Sequence, residues 1–127
     1  MGAGKGTRMK SDTAKVLHPV AGRPMVSWVL DAVAETDPVE TVVVVGYHGD
    51  AVRAILPAGV GAALQAEQLG TGHAALIGLE ALAPEPEDEI IVIPGDMPLV
   101  KGSTLQALLS AHRRSDAAAT LMTVVLD

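Results

Sequence analysis

Five β-branched residues stand in an unbroken row at Thr41-Val42-Val43-Val44-Val45, closed by Gly46. Such a run has no polar face, so as a strand it must be covered on both sides. Sheets covered on both faces are the parallel sheets of α/β proteins, whose crossovers are helices. The flanking residues supply those helices. Met25, Val29, Leu30, Val33 and Ala34 recur at helical spacing behind Pro24, which suits a first helical turn. This predicts a helix over 24–35, ended by Thr36-Asp37-Pro38. His18-Pro19 and Gly22-Arg23-Pro24 punctuate the connection before it.

The alternation continues downstream. Residues 50–56 read as a short helix, capped near Gly49-Asp50 and stopped by Pro57, and 61–65 as a short strand. Thr71 suits an N-cap for a helix reaching Leu82. After an acidic loop over 84–89, residues 89–93 form a second apolar strand that runs into Pro94-Gly95-Asp96. Ser103 can cap a helix to Arg114 with Leu105, Leu108, Leu109 and His112 on one side, and 117–126 reads as a last strand. The expected fold is one α/β domain: a three-layer, mainly parallel, Rossmann-like sheet.

Composition narrows the function classes. At 49% hydrophobic residues the chain can bury a core, and with Trp28, Tyr47 and no Phe that core must be aliphatic. The absence of cysteine excludes disulfides and thiolate metal sites. A net charge of −6, with no interleaving of aromatic and basic residues, argues against nucleic-acid binding. No apolar run approaches the roughly 18 residues of a membrane span, and the N-terminus carries no signal-peptide core. A soluble cytoplasmic protein with no membrane partner is the expectation.

Three stretches carry chemistry. The first is Met1-Gly2-Ala3-Gly4-Lys5-Gly6-Thr7-Arg8-Met9, followed by Lys15. Alternating glycines let backbone N–H groups line one concavity that a bulky anion can approach, and Arg8 and Lys15 can add charge to phosphate. The spacing is neither a Walker A loop nor a dinucleotide fingerprint. A flexible glycine-rich terminus with solvated bases has the same composition. The second is Gly95-Asp96. In an open parallel sheet ligands gather beyond the C-terminal strand ends, where one carboxylate can hold Mg²⁺ on substrate phosphates. A turn aspartate is the alternative. The third is Gln65-Ala66-Glu67-Gln68-Leu69-Gly70-Thr71-Gly72-His73. Gln65 can read a base edge with its amide, and Gly70-Thr71 can bring backbone close to a planar ring. A loop with a helix cap is the alternative. His18, His48, His73 and His112 lack a metal-ligand spacing, and no Gly-x-Ser-x-Gly elbow occurs.

Taken together and in order, Gly4-Lys5-Gly6-Thr7-Arg8-Met9 with Lys15-Val16-Leu17, then Gln65 to Ala74, then Gly95-Asp96-Met97-Pro98-Leu99 resemble one family along essentially the whole chain. It is the uridyltransferase domain of the bifunctional N-acetylglucosamine-1-phosphate uridyltransferase / glucosamine-1-phosphate acetyltransferase, within the wider group of sugar-nucleotide pyrophosphorylases. The first and third motifs are shared across that group, and the Gln65–His73 string points to the uridyl member. The resemblance implies uridylyl transfer from UTP to N-acetylglucosamine 1-phosphate, giving UDP-N-acetylglucosamine, a cell-wall precursor, and pyrophosphate. It implies that Gly2, Ala3 and Gly4 hold the nucleotide and that Arg8 and Lys15 neutralise phosphate as the catalytic pair. Gln65, Gly70 and Thr71 would recognise uracil and ribose. Gly95 and Asp96 would complete the site, with Asp96 binding the cofactor Mg²⁺.

The departures from the family pattern carry expectations of their own. No strand leads into the glycine loop, Pro94 replaces a Tyr or small polar residue, and the chain ends at Asp127. The expectation is a piece of the parent enzyme, cut at both ends. It would lack the first strand, the sugar-binding half with a second metal ligand, and the left-handed β-helix acetyltransferase domain. The parent would be a homotrimer through that absent domain and this chain a monomer. Two alternatives stay open: transfer of a different nucleotidyl group, and a fragment that binds UTP and Mg²⁺ without turning over.

Overall fold

The computed structural model describes residues 13–46 and 48–123. Gly2, Ala3, Gly4 and Arg8 therefore lie outside the described residues, as does the end of the strand expected over 117–126.

The valine run forms β3 (Thr41–Val45), paired in parallel with β4 (Val60–Leu64) in the register Thr41 to Val60 through Val45 to Leu64. Its alternation separates two apolar layers. Val43 and Val45 join Val26 and Leu30 of helix α1 (Met25–Ala34), Val52 of the short helix α2 (Gly49–Arg53), and Ala14 and Val16 in one buried cluster. Val44 points the other way, towards helix α3 (Thr71–Leu82). There Gly78 lets the helix approach closely: a Cβ on it would sit 3.2 Å from Val44 Cγ2. Helices thus cover both faces of the parallel pair, as a strand without a polar face demands. Helix α4 (Gly102–Arg114) packs on α1, with Leu105 buried and the Gln106 amide donating 2.7 Å to the Glu35 carbonyl.

Upstream, residues Lys15–Leu17 make one 3-10 turn that buries Val16 and turns Lys15 outward. A small hairpin comes next, β1 (Pro19–Val20) antiparallel to β2 (Arg23–Pro24), where a plain connection was expected. Ala21 and Gly22 close it, both with positive φ (50° and 81°), as a two-residue hairpin turn requires. Trp28 on α1 anchors the hairpin by donating 2.9 Å to the Val20 carbonyl, with the Arg23 guanidinium 4.4 Å above its ring and paired to Asp31. The turn bearing Lys15 is therefore tied to the first helix.

Two expected strands are not formed among the described residues. Residues 89–93 are irregular despite their apolar, β-branched composition, and so are 117–123. The reason is pairing. A strand exists through its ladder, and β3 pairs with β4 alone among the described residues. A cavity of about 420 Å³, lined by Val42 to Val44, Leu30, Leu79, Ile91 and Leu105 among others, opens beside β3 and reaches Gly95. Ile90 and Val92 remain 39% and 50% exposed. The helix starts also differ. Gly70 and Lys101 hold the N-cap positions of α3 and α4, so Thr71 and Ser103 lie inside the first turns rather than capping them. His48, with φ 59°, precedes α2 in place of an Asp50 cap.

The irregular segment is pinned at its start by an ion pair. Arg113 Nε donates to both carboxylate oxygens of Glu89, at 3.0 and 2.8 Å. That hydrogen bonding, reinforced by charge, holds the Glu89 carboxyl below its ordinary value of 4.5. Because the folded value lies below the unfolded one, the stabilisation is present above pH 4.5 and is lost as pH falls through the lowered value. A Glu89→Gln variant is therefore expected to melt below the parent at neutral pH. The gap should close in acid, as thermal melts across that range would show.

Candidate functional site

Lys15 and Asp96 are 81 positions apart in sequence, yet Lys15 Nζ bonds Asp96 Oδ2. Each partner is set by its own element. Val16, 3% exposed, roots the 3-10 turn in the core, and the hairpin holds the chain immediately downstream. Gly95 is buried at the end of the 89–93 segment, and the turn there presents Asp96. Both side chains stay partly accessible, at 45% and 32%. A cation and a carboxylate thus meet where both remain partly open to solvent.

No group of three or more His, Cys, Asp or Glu that could hold a metal converges among the described residues. Among the described residues Asp96 therefore belongs to no cluster of three or more such ligands. That suits Mg²⁺ held by one or two carboxylates plus substrate phosphates, and it does not suit a cage built wholly of protein ligands.

The second cluster begins where β4 ends. Gln65 N donates 2.7 Å to the Val45 carbonyl, which extends the parallel ladder by one bond and places Gln65 at the C-terminal edge of the sheet. Its side chain was expected to meet a base. In the structure Gln65 is 3% exposed, and its Nε2 lies 3.2 Å from the Gly70 carbonyl and 3.0 Å from His73 Nδ1. The Gly70 carbonyl also accepts the first bond of α3, from Ala74 N at 3.1 Å. Thr71 is exposed at the first position of that helix. Gln65, Gly70 and Thr71 therefore form one unit. Among the described residues no hydrogen bond or ion pair joins it to Lys15 and Asp96.

His73 is the member of this unit that its sequence spacing to other histidines did not single out. Its partner is a glutamine eight residues earlier, across a glycine turn, and the pairing needs the fold of that turn. Gly70 makes the turn possible, with φ 98° and ψ −177°, a conformation confined essentially to glycine. A Cβ at Gly70 would meet nothing within 4 Å, so a Gly70→Ala change strains backbone without a clash. We expect it to cost about 1–3 kcal/mol, read by urea unfolding, and to raise amide exchange at 68–74.

A model of the MobA-like NTP transferase domain matches residues 1–125. The chain is 50% identical over 128 residues to the bifunctional protein GlmU of Carboxydothermus hydrogenoformans, covering 100% of this chain and 28% of that protein. It is 48% identical to the bifunctional protein GlmU of Lactococcus lactis subsp. lactis, covering 98% of this chain and 27% of that protein. It thus spans under a third of the length of these relatives. The crystal structure of Rv0371c from Mycobacterium tuberculosis H37Rv superposes with a TM-score of 0.71 at 20% identity, over 91% of this chain and 58% of that one, a likeness of fold. Together with the parallel β3–β4 pair between helical layers, these matches assign a partial Rossmann-like nucleotidyltransferase fold, and the chain belongs to the MobA-like NTP transferase domain family.

Proposed function

We propose that the chain carries the uridylyl-transfer site for UTP and N-acetylglucosamine 1-phosphate, releasing UDP-N-acetylglucosamine and pyrophosphate. The observation that carries this reading is the meeting of Lys15 with Asp96. A lysine and a carboxylate brought together where both stay partly exposed are the groups needed for a metal triphosphate. In the reaction a phosphate oxygen of the sugar phosphate attacks the α-phosphorus of UTP. The bond from that phosphorus to the bridging oxygen breaks, and pyrophosphate leaves with the electron pair. No protein nucleophile takes part, so the protein contributes positioning and charge.

Asp96 would hold Mg²⁺, which supplies neutralisation of the triphosphate. Lys15, paired with Asp96 in this structure, would offer its ammonium to the phosphates. Arg8 and the backbone of Gly2, Ala3 and Gly4 have the same task by family resemblance. Gln65, Gly70 and Thr71 form the uracil and ribose end, and Gly95 lets substrate pass close to the Asp96 turn.

The test is pyrophosphate release with Mg²⁺, sugar phosphate and each nucleoside triphosphate in turn. Release that needs all three components and favours UTP supports the reading. Preference for another triphosphate, or no nucleotide binding at all, overturns it. UTP binding without release would assign the chain a binding role instead.

A further inference from the structure

The partners of the buried Gln65 amide fix which of its atoms faces them. The Gly70 carbonyl can only accept, so the side-chain atom 3.2 Å from it must be the amide nitrogen. The same nitrogen lies 3.0 Å from His73 Nδ1, and its second hydrogen points there. Nδ1 must therefore carry a lone pair, and the imidazole proton resides on Nε2. Both amide hydrogens are then committed, and the remaining polar atom, Oε1, is an acceptor only.

We propose that His73, as its Nε2–H tautomer, is a positioning residue that locks the Gln65 amide so that it offers only its oxygen. This makes the site selective for bases with a ring N–H donor. Uracil presents such a donor at N3, whereas cytosine presents a lone pair there and would face Oε1 acceptor to acceptor. Without His73 as acceptor, one amide hydrogen is left without a partner and the Gly70 carbonyl alone holds the nitrogen inward, so the amide turns more readily and can offer hydrogen to either base. The base-selection half rests on the nucleotide reading above; the lock itself does not.

Two variants and two measurements decide it. His73→Asn keeps an acceptor oxygen close to where Nδ1 stands, and His73→Leu keeps bulk without one. Nitrogen NMR of the unliganded chain, with His73 identified by its absence in His73→Asn, should show an unprotonated Nδ1 and a protonated Nε2. A protonated Nδ1 would overturn the lock. Dissociation constants for UTP and CTP should favour UTP by at least tenfold in the parent and in His73→Asn, with that ratio falling about tenfold in His73→Leu. A ratio within twofold of the parent in His73→Leu would overturn the selection role. A ratio lost equally in both variants would do the same, since a purely structural role affects both. If the parent binds neither triphosphate, the nucleotide reading and base selection fall, and the tautomer still decides the lock.

Discussion

Asp96→Ala is expected to lower the proposed uridylyl transfer by at least about 10²-fold while shifting stability by less than about 1 kcal/mol. The two halves of this expectation have separate causes. Among the described residues Asp96 is the carboxylate paired with Lys15, and without it the proposed metal triphosphate loses its protein anchor. Its pairing with Lys15, however, is between side chains 45% and 32% exposed, where water replaces most of what the pair contributes. Pyrophosphate release and urea unfolding on the same preparation separate the effects. A variant that keeps its turnover, or loses stability along with it, would show the pair to be a structural clasp. Lys15→Met is the companion test: weaker triphosphate binding is expected with the Mg²⁺ requirement intact, because the metal anchor remains.

Leu105→Ala should be the most destabilising simple truncation on α4, at about 2–5 kcal/mol in urea unfolding. Leu105 is 2% exposed and lines the apolar cavity together with Val29 and Leu30 of α1. Truncation there enlarges an existing space. The wall opposite is β3, held in register by β4, so the site cannot easily collapse to recover contact. A loss of that size is a large share of the roughly 5–15 kcal/mol that holds a typical domain together. Leu121→Ala serves as the control. That side chain is 86% exposed, and its loss should stay within about 0.5 kcal/mol. Equal effects at the two positions would mean that α4 does not pack as described.

The motifs and the elements differ in how far local sequence could reach. The helices α1, α3 and α4 and the strands β3 and β4 lie close to where periodicity and composition put them. Each is specified by residues within a few positions of one another. The valine run is the clearest case: with no polar side to expose, it demands cover on both faces, and α1 and α3 supply it. The segment 89–93 shows the limit. Residues 90–93 are all apolar and β-branched, like residues 42–45 of β3, yet the segment is irregular, because strand formation depends on a neighbour and not on propensity alone. The expected Thr71 and Ser103 caps fail for a related reason. Gly70 and Lys101 already occupy the positions where each chain enters its helix, one in a conformation open to glycine and the other extended.

Residue identity by itself determined the α/β alternation, the apolar core strand and the motif residues Lys15, Gln65 and Asp96, since these arise from local pattern and side-chain chemistry. Only the tertiary structure decided which of them meet. It set Lys15 on Asp96 across 81 positions and turned the Gln65 amide inward onto Gly70 and His73. It also left 89–93 unladdered beside an apolar cavity. The physical reason is common to all three: ion pairs, buried amide bonds and strand ladders each need a partner, and only folding brings the partner within reach.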